Sequence, residues 1–87
     1  MRVESGIAFL DGDLTLPQAT RLLAECEQAY QSGIAVFDLS GAGALDSSAI
    51  SLMLSLRRNA AGRPLEFRNI PDGLVSLARL YGVVDHF

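Results

Sequence analysis

Asp46-Ser47-Ser48 is the stretch of this 87-residue chain whose residue types and spacing could do chemistry. A carboxylate is followed by two hydroxyls, and Ser51 and Ser55 repeat the hydroxyl of Ser47 at four-residue intervals. If the segment opens a helix, that spacing lines Ser47, Ser51 and Ser55 along one face. Asp46 or Ser47 would cap the helix by accepting from its first free N–H groups. Those groups and the helix dipole also welcome a phosphate or a carboxylate. Two readings follow: capping alone, or capping by one residue while the next hydroxyl meets a partner. A merely solvated face would more often carry Lys, Glu or Arg, whereas small hydroxyl residues let another backbone approach closely. That contrast favours a contact surface. Ser stripes also occur on ordinary exposed helices, and residue types alone leave both readings standing.

The other reactive residues offer less. His86, the single histidine, lies next to the C-terminus, a poor place to hold a general base. Cys26, the single cysteine, falls on the apolar face of an expected helix with no cation beside it in sequence, so a buried, inert thiol is expected. No set of His, Cys and carboxylates has metal-ligand spacing, and no Walker-type phosphate loop occurs. Gly41-Ala42-Gly43 resembles part of a dinucleotide fingerprint but lacks the third glycine, and reads as a flexible strand–helix link. Neither an enzyme nor a bound cofactor is expected.

Composition narrows the classes further. Hydrophobic residues make up 49% and charged residues 20%, which suits one small folded domain. The net charge of −3 comes without any basic stripe, so nucleic acid is not an expected partner. The apolar runs are short and broken by Asp, Gly and Arg, which argues against membrane insertion, and Met1 to Gly6 does not read as a signal peptide. One unpaired cysteine fits a reducing compartment, and the expected location is the cytoplasm.

These residues need elements to hold them. Ile7 to Leu10 reads as a strand and Asp11-Gly12-Asp13 as a turn. Thr15-Leu16-Pro17-Gln18 has the form of a capping box, with Thr15 accepting from the first turn and Gln18 reaching back. The helix behind it places Ala19, Leu22, Leu23, Cys26, Ala29 and Tyr30 on one face and stops at Gly33. Ile34 to Leu39 reads as a central strand covered on both faces. The second helix runs from Asp46 or Ser47 with Ile50, Leu52, Met53, Leu54 and Leu56 as its apolar positions, and Arg57-Arg58 suit its C-terminal end. Leu65 to Arg68 alternates like a strand. A third helix from Pro71-Asp72 to Gly82 presents Leu74, Val75, Leu77, Ala78, Leu80 and Tyr81, and Val83-Val84 reads as a short extended piece. Strand and helix alternate three times, which predicts an α/β domain with a small, mostly parallel sheet and right-handed crossovers.

Val36-Phe37-Asp38-Leu39-Ser40 followed by Leu45-Asp46-Ser47-Ser48-Ala49-Ile50 resembles the core of the STAS domains, the anti-sigma-factor antagonists and their relatives. The resemblance runs from about Gly6 onward and implies the STAS fold, with residues 1–87 as a single domain short at both ends, lacking a first strand and a last helix. In the antagonists, the first hydroxyl after the Asp is phosphorylated by a partner anti-sigma kinase. That position is Ser47, which the resemblance makes a candidate phosphate acceptor. This chain departs from the antagonists in having Ala49 for a glycine, and Thr15 where a kinase-docking carboxylate is expected. Leu77-Ala78-Arg79-Leu80-Tyr81-Gly82-Val83 is similar to the Leu-Ala-Lys-Leu-Tyr signature of the MlaB-type branch. That branch implies a non-enzymatic cytoplasmic subunit of a phospholipid-trafficking ABC transporter, held beside the inner membrane by the ATPase subunit that it binds. The contact surface would centre on Asp46, Ser47, Ser48 and Ser51. Ser55 would extend it, and Asp13 and Thr15 would lie beside it if the sheet brings the loops to one edge. An antagonist controlled by an anti-sigma kinase is the competing reading. A small-ligand sensor is a third, and a homodimer is a further partnership left open.

Overall fold

The computed structural model describes residues 1–83 and 85. Nine elements follow one another: β1 (Arg2–Glu4), β2 (Ile7–Phe9), β3 (Gly12–Leu14), α1 (Leu16–Gln31), β4 (Val36–Asp38), β5 (Ala42–Leu45), α2 (Ser47–Ala60), β6 (Glu66–Arg68) and α3 (Asp72–Leu80). The main sheet has the order β1-β2-β4-β6. β2, β4 and β6 are parallel and β1 runs antiparallel to β2. The expected small, mostly parallel α/β sheet with its three helices is therefore present.

β1 was not among the six elements read from the sequence. It exists because Ser5 and Gly6 both take positive φ, 51° and 78°. Two such residues make the tight turn whose twist matches that of paired strands. The other addition is a two-stranded parallel sheet of β3 and β5. It takes up Gly12-Asp13, expected as turn, and Ala42-Gly43, expected as a flexible link. Main-chain bonds carry the pairing outward from the main sheet: the Leu10 N–H donates to Asp38 O at 2.9 Å and the Gly12 N–H to Gly41 O at 3.0 Å.

β2, β4 and β6 step across the sheet in one direction, so right-handed crossovers lay α1 and α2 on the same face. Burial agrees. Ala8 and Phe37 point into the core at 0% exposure, with Phe67 packed against it. Ile7, Phe9 and Val36 alternate with them, lie on the other face and are only half-buried. The central strand is thus covered by helices on one face, not two. The core joins Ala8, Leu10, Phe37 and Leu39 to Leu22 and Cys26 of α1, Ile50, Leu52, Met53 and Leu56 of α2, and Leu74 of α3.

Helix ends follow their sequence signals in part. Gly33 stops α1 with φ 108°, and the Ile34 N–H donates to Ala29 O at 3.0 Å while the Gly33 N–H donates to Tyr30 O at 3.1 Å, which is a Schellman closure. α2 ends at Ala61 in the left-handed region, and Arg63 reaches back to satisfy the carbonyls of Asn59 and Ala60. Leu80, the last residue of α3, and Tyr81, in the turn that follows, were expected on the apolar surface of the helix but are 78% and 56% exposed. Val83 is neither helix nor strand; Val84 and His86 lie outside the described residues.

Three arginines lie over aromatic rings: Arg2 on Phe9 at 4.4 Å, Arg57 on Phe67 at 5.0 Å and Arg63 on Tyr30 at 5.4 Å. Cys26 is buried, with its Sγ 3.8 Å from Met1 Sδ. Burial, then the nearby Glu25 charge, pushes its thiol up to about 12, so it stays protonated and inert. Phe37 sits where β4 meets the helices and cannot be replaced by rearrangement alone. Phe37→Ala is expected to lower unfolding free energy by about 3–5 kcal/mol in urea denaturation.

Candidate functional site

Asp46 is the N-cap of α2, with an extended backbone at φ −142° and ψ −172°. Its Oδ1 accepts from the Ser48 N–H at 2.8 Å. Its Oδ2 accepts from the Leu16 N–H at 3.0 Å, across 30 residues of sequence. Leu16 is the first residue of α1. One carboxylate therefore holds the N-termini of two helices side by side, each oxygen meeting one orphan donor.

This replaces the expected capping box. Thr15 does occupy the N-cap position of α1 in extended conformation, and Pro17 does sit in the first turn. The Thr15 hydroxyl turns instead to Gln18, donating to Oε1 at 2.5 Å, and makes no bond to the helix backbone. The cap that α1 lacks locally comes from Asp46.

A second carboxylate ties the neighbouring loops. Asp13 Oδ1 accepts from the Ala44 N–H at 2.9 Å. Gly43 permits the approach, since a Cβ there would stand 2.5 Å from the same oxygen. The register from Gly12↔Ala42 to Leu14↔Leu45 takes one extra residue on β5, a bulge that turns this segment toward Asp13. The Asp46 N–H then donates to Leu14 O at 3.4 Å, so the cap residue is itself held by β3.

The seven residues singled out from the sequence do not all fall together. Asp46, Ser47 and Ser48 form the start of α2, Thr15 stands beside them at the start of α1, and Asp13 lies in the adjoining strand pair. Ser47 and Ser51 are exposed and Ser48 is half-buried. Ser55, two turns further on, is half-buried and accepts from Arg58 Nη2 at 3.1 Å, so its hydroxyl is already engaged. The stripe is thus most open at its N-terminal end. Sequence reading did not include Leu16. Its amide binds Asp46 and its side chain is 70% exposed. The signal available was an apolar residue at the first helical position, outside the periodic apolar face.

Electrostatics favour an ionised Asp46. The Leu16 amide first, then the Ser48 amide and hydroxyl, hold its carboxyl below the usual carboxylate range. Asp38, at the C-terminal end of β4, behaves likewise. It is only 6% exposed, and Ser40, then Asn69, stabilises its charge. Its oxygens accept from the Ser40 N–H at 2.8 Å and Asn69 Nδ2 at 2.7 Å, which closes the loops on either side. Neither carboxylate is placed to move a proton. Among the described residues no three His, Cys, Asp or Glu come together to hold a metal ion. The surface cleft lined by Glu27, Tyr30, Asn59 and Arg63, about 300 Å³, lies at the far ends of α1 and α2.

Both folded carboxyls ionise more readily than in the unfolded chain. Their contribution to stability is therefore present above the unfolded value near pH 4 and is lost as pH falls through the folded value. Asp46→Asn keeps one acceptor oxygen and turns an NH2 toward the other helix start. It is expected to lower stability at pH 7 and to flatten its dependence on pH between about 2 and 5 relative to the parent. Urea titrations at a series of pH values would check both, with Thr15→Ala expected to change stability less at pH 7.

No curated protein matches this chain. A family model described as "Mlab, STAS domain" matches residues 3–85, from the edge strand through the end of the described chain. The match spans the two-helix clamp at Asp46 and the loops that frame it. The chain belongs to the STAS domain family, in its MlaB-type branch.

Proposed function

We propose that this domain binds the ATPase subunit of an MlaB-type phospholipid-trafficking ABC transporter, through the surface at the start of α2. STAS domains are in general regulatory or binding domains, not enzymes. The observation that carries the reading is the setting of Ser47. It is an exposed hydroxyl immediately after a cap that fixes two helices, on a surface without a neighbouring charged side chain in the first turn of either helix.

That geometry supports the following roles. Asp46 is a positioning residue, because both its oxygens are spent on backbone donors. Ser47 and Ser51 are the contact hydroxyls, small enough for a partner's backbone to come close. Ser48 contributes through its amide to Asp46, and Ser55 lies at the margin of the contact. Asp13 and Thr15 shape the flank: Asp13 by holding Ala44, Thr15 by turning its hydroxyl to Gln18. The domain would act in the cytoplasm, beside the inner membrane through its partner. Among the described residues no helix is long and apolar enough to cross a membrane.

A charge at Ser47 would stand beside the Asp46 carboxylate and inside a contact built for small neutral groups. Ser47→Glu is expected to weaken binding to the purified ATPase subunit by more than tenfold, about 1.4 kcal/mol or more, in calorimetric titration, while Ser47→Ala has a smaller effect. Unchanged affinity of Ser47→Glu would overturn the reading.

A further inference from the structure

β1 lies at one end of the main sheet, and all three of its residues are exposed. The two-residue turn at Ser5-Gly6 closes on the pair Glu4↔Ile7, with Val3↔Ala8 and Arg2↔Phe9 beyond it. In such a hairpin the closing pair exchanges both main-chain bonds and the next pair exchanges none. Glu4 and Arg2 therefore spend their N–H and C=O groups on β2, and the Val3 N–H and C=O point outward from the sheet. The far side of β2 agrees in phase, since the Leu10 N–H donates toward β4. The Val3 side chain is 50% exposed on the helix-bearing face, while Arg2 and Glu4 lie on the other face, joined at 2.7 Å.

Charge on an edge strand ordinarily prevents pairing, because like charges meet across the new ladder. Here the order is Arg2-Val3-Glu4. An antiparallel copy placed so that Val3 meets Val3 sets Arg2 against Glu4 and Glu4 against Arg2. That register also satisfies the two free main-chain groups of each Val3. Phase and charge thus select the same alignment, and the alignment is its own two-fold partner. The other edge, β6, carries a similar Glu66-Phe67-Arg68 order but is obstructed. Arg57 Nη1 occupies the Leu65 carbonyl at 2.8 Å, Asn69 bends the chain away with φ 54°, and α3 starts three residues later.

We infer that β1 is a homodimerisation edge, on which a second copy of this chain adds antiparallel in the Val3-to-Val3 register to continue the sheet. Three residues per copy bury less than a stable interface needs, so the dimer is a weak one that forms at high local concentration.

The test uses the full chain in sedimentation equilibrium, from about 10 μM to about 1 mM, where mass action exposes a weak dimer. The parent is expected to move from one chain toward two across that range. Arg2→Glu makes an all-acidic edge and Glu4→Arg an all-basic one. Each two-fold pairing then meets like charges twice, and each variant alone is expected to lose roughly tenfold or more in dimerisation. Mixed in equal amounts, the two are expected to form a heterodimer with affinity near the parent's. Val3→Pro removes an N–H that β2 does not use, and is expected to stay monomeric with a parent-like far-ultraviolet spectrum. A parent that remains monomeric at 1 mM, single variants that dimerise like the parent, or a mixture no more associated than its components would each overturn the inference.

Discussion

The Asp46 carboxylate is the point on which the packing of two helix starts depends. A helix start leaves several N–H groups without partners, and two helix starts packed side by side concentrate them. Asp46 answers with one oxygen for each helix, at 2.8 Å to Ser48 and 3.0 Å to Leu16. The same residue is fixed from behind by Leu14, whose strand pairs with β5, the strand that leads into Asp46. Charge, hydrogen bonding and sheet register all meet there. The exposed Ser47 follows directly on a residue whose two carboxylate oxygens and amide are all bonded.

That arrangement also separates two kinds of work that short sequences often merge. Capping consumes Asp46 completely, and little of the capping falls to the hydroxyls. Ser47 and Ser51 are left exposed, while the more distant Ser55 is drawn into a contact with Arg58. In the Asp-Ser-Ser segment, the cap is thus Asp46 alone, and the hydroxyl of Ser47 stays exposed.

Much of the fold was legible in the chain. Three helices, the parallel strands, the stop at Gly33 and the cap at Asp46 all follow from periodicity and end signals that act within a few residues. What escaped depends on distant partners. β3 and β5 are short and glycine-rich, and they become strands only by pairing with each other. Thr15-Leu16-Pro17-Gln18 has every local mark of a capping box, yet a carboxylate 30 residues away takes the donor at Leu16. The run from Ile34 to Leu39 is apolar enough for a strand buried on both sides. Its neighbours along the sheet all step the same way, however, and leave one face without helices among the described residues. At the start of α2, residue type alone pointed to Asp46 as a helix cap, while the exposure of Leu16 required the placement of α1 against α2.

The arginines resting on Phe9, Phe67 and Tyr30 have a consequence for the chain's chemistry as a whole. All seven basic side chains are arginine, and lysine is absent. A guanidinium can stack on a ring and still form directional bonds in its plane, as Arg57 and Arg63 do with main-chain carbonyls; an ammonium is a compact charge without that geometry. A guanidinium also keeps its proton throughout the range in which proteins fold. The basic side chains of this domain thus carry a fixed positive charge, and none of them offers an amine. Acetylation, ubiquitin attachment and amine-directed cross-linkers therefore find no side-chain amine on the domain.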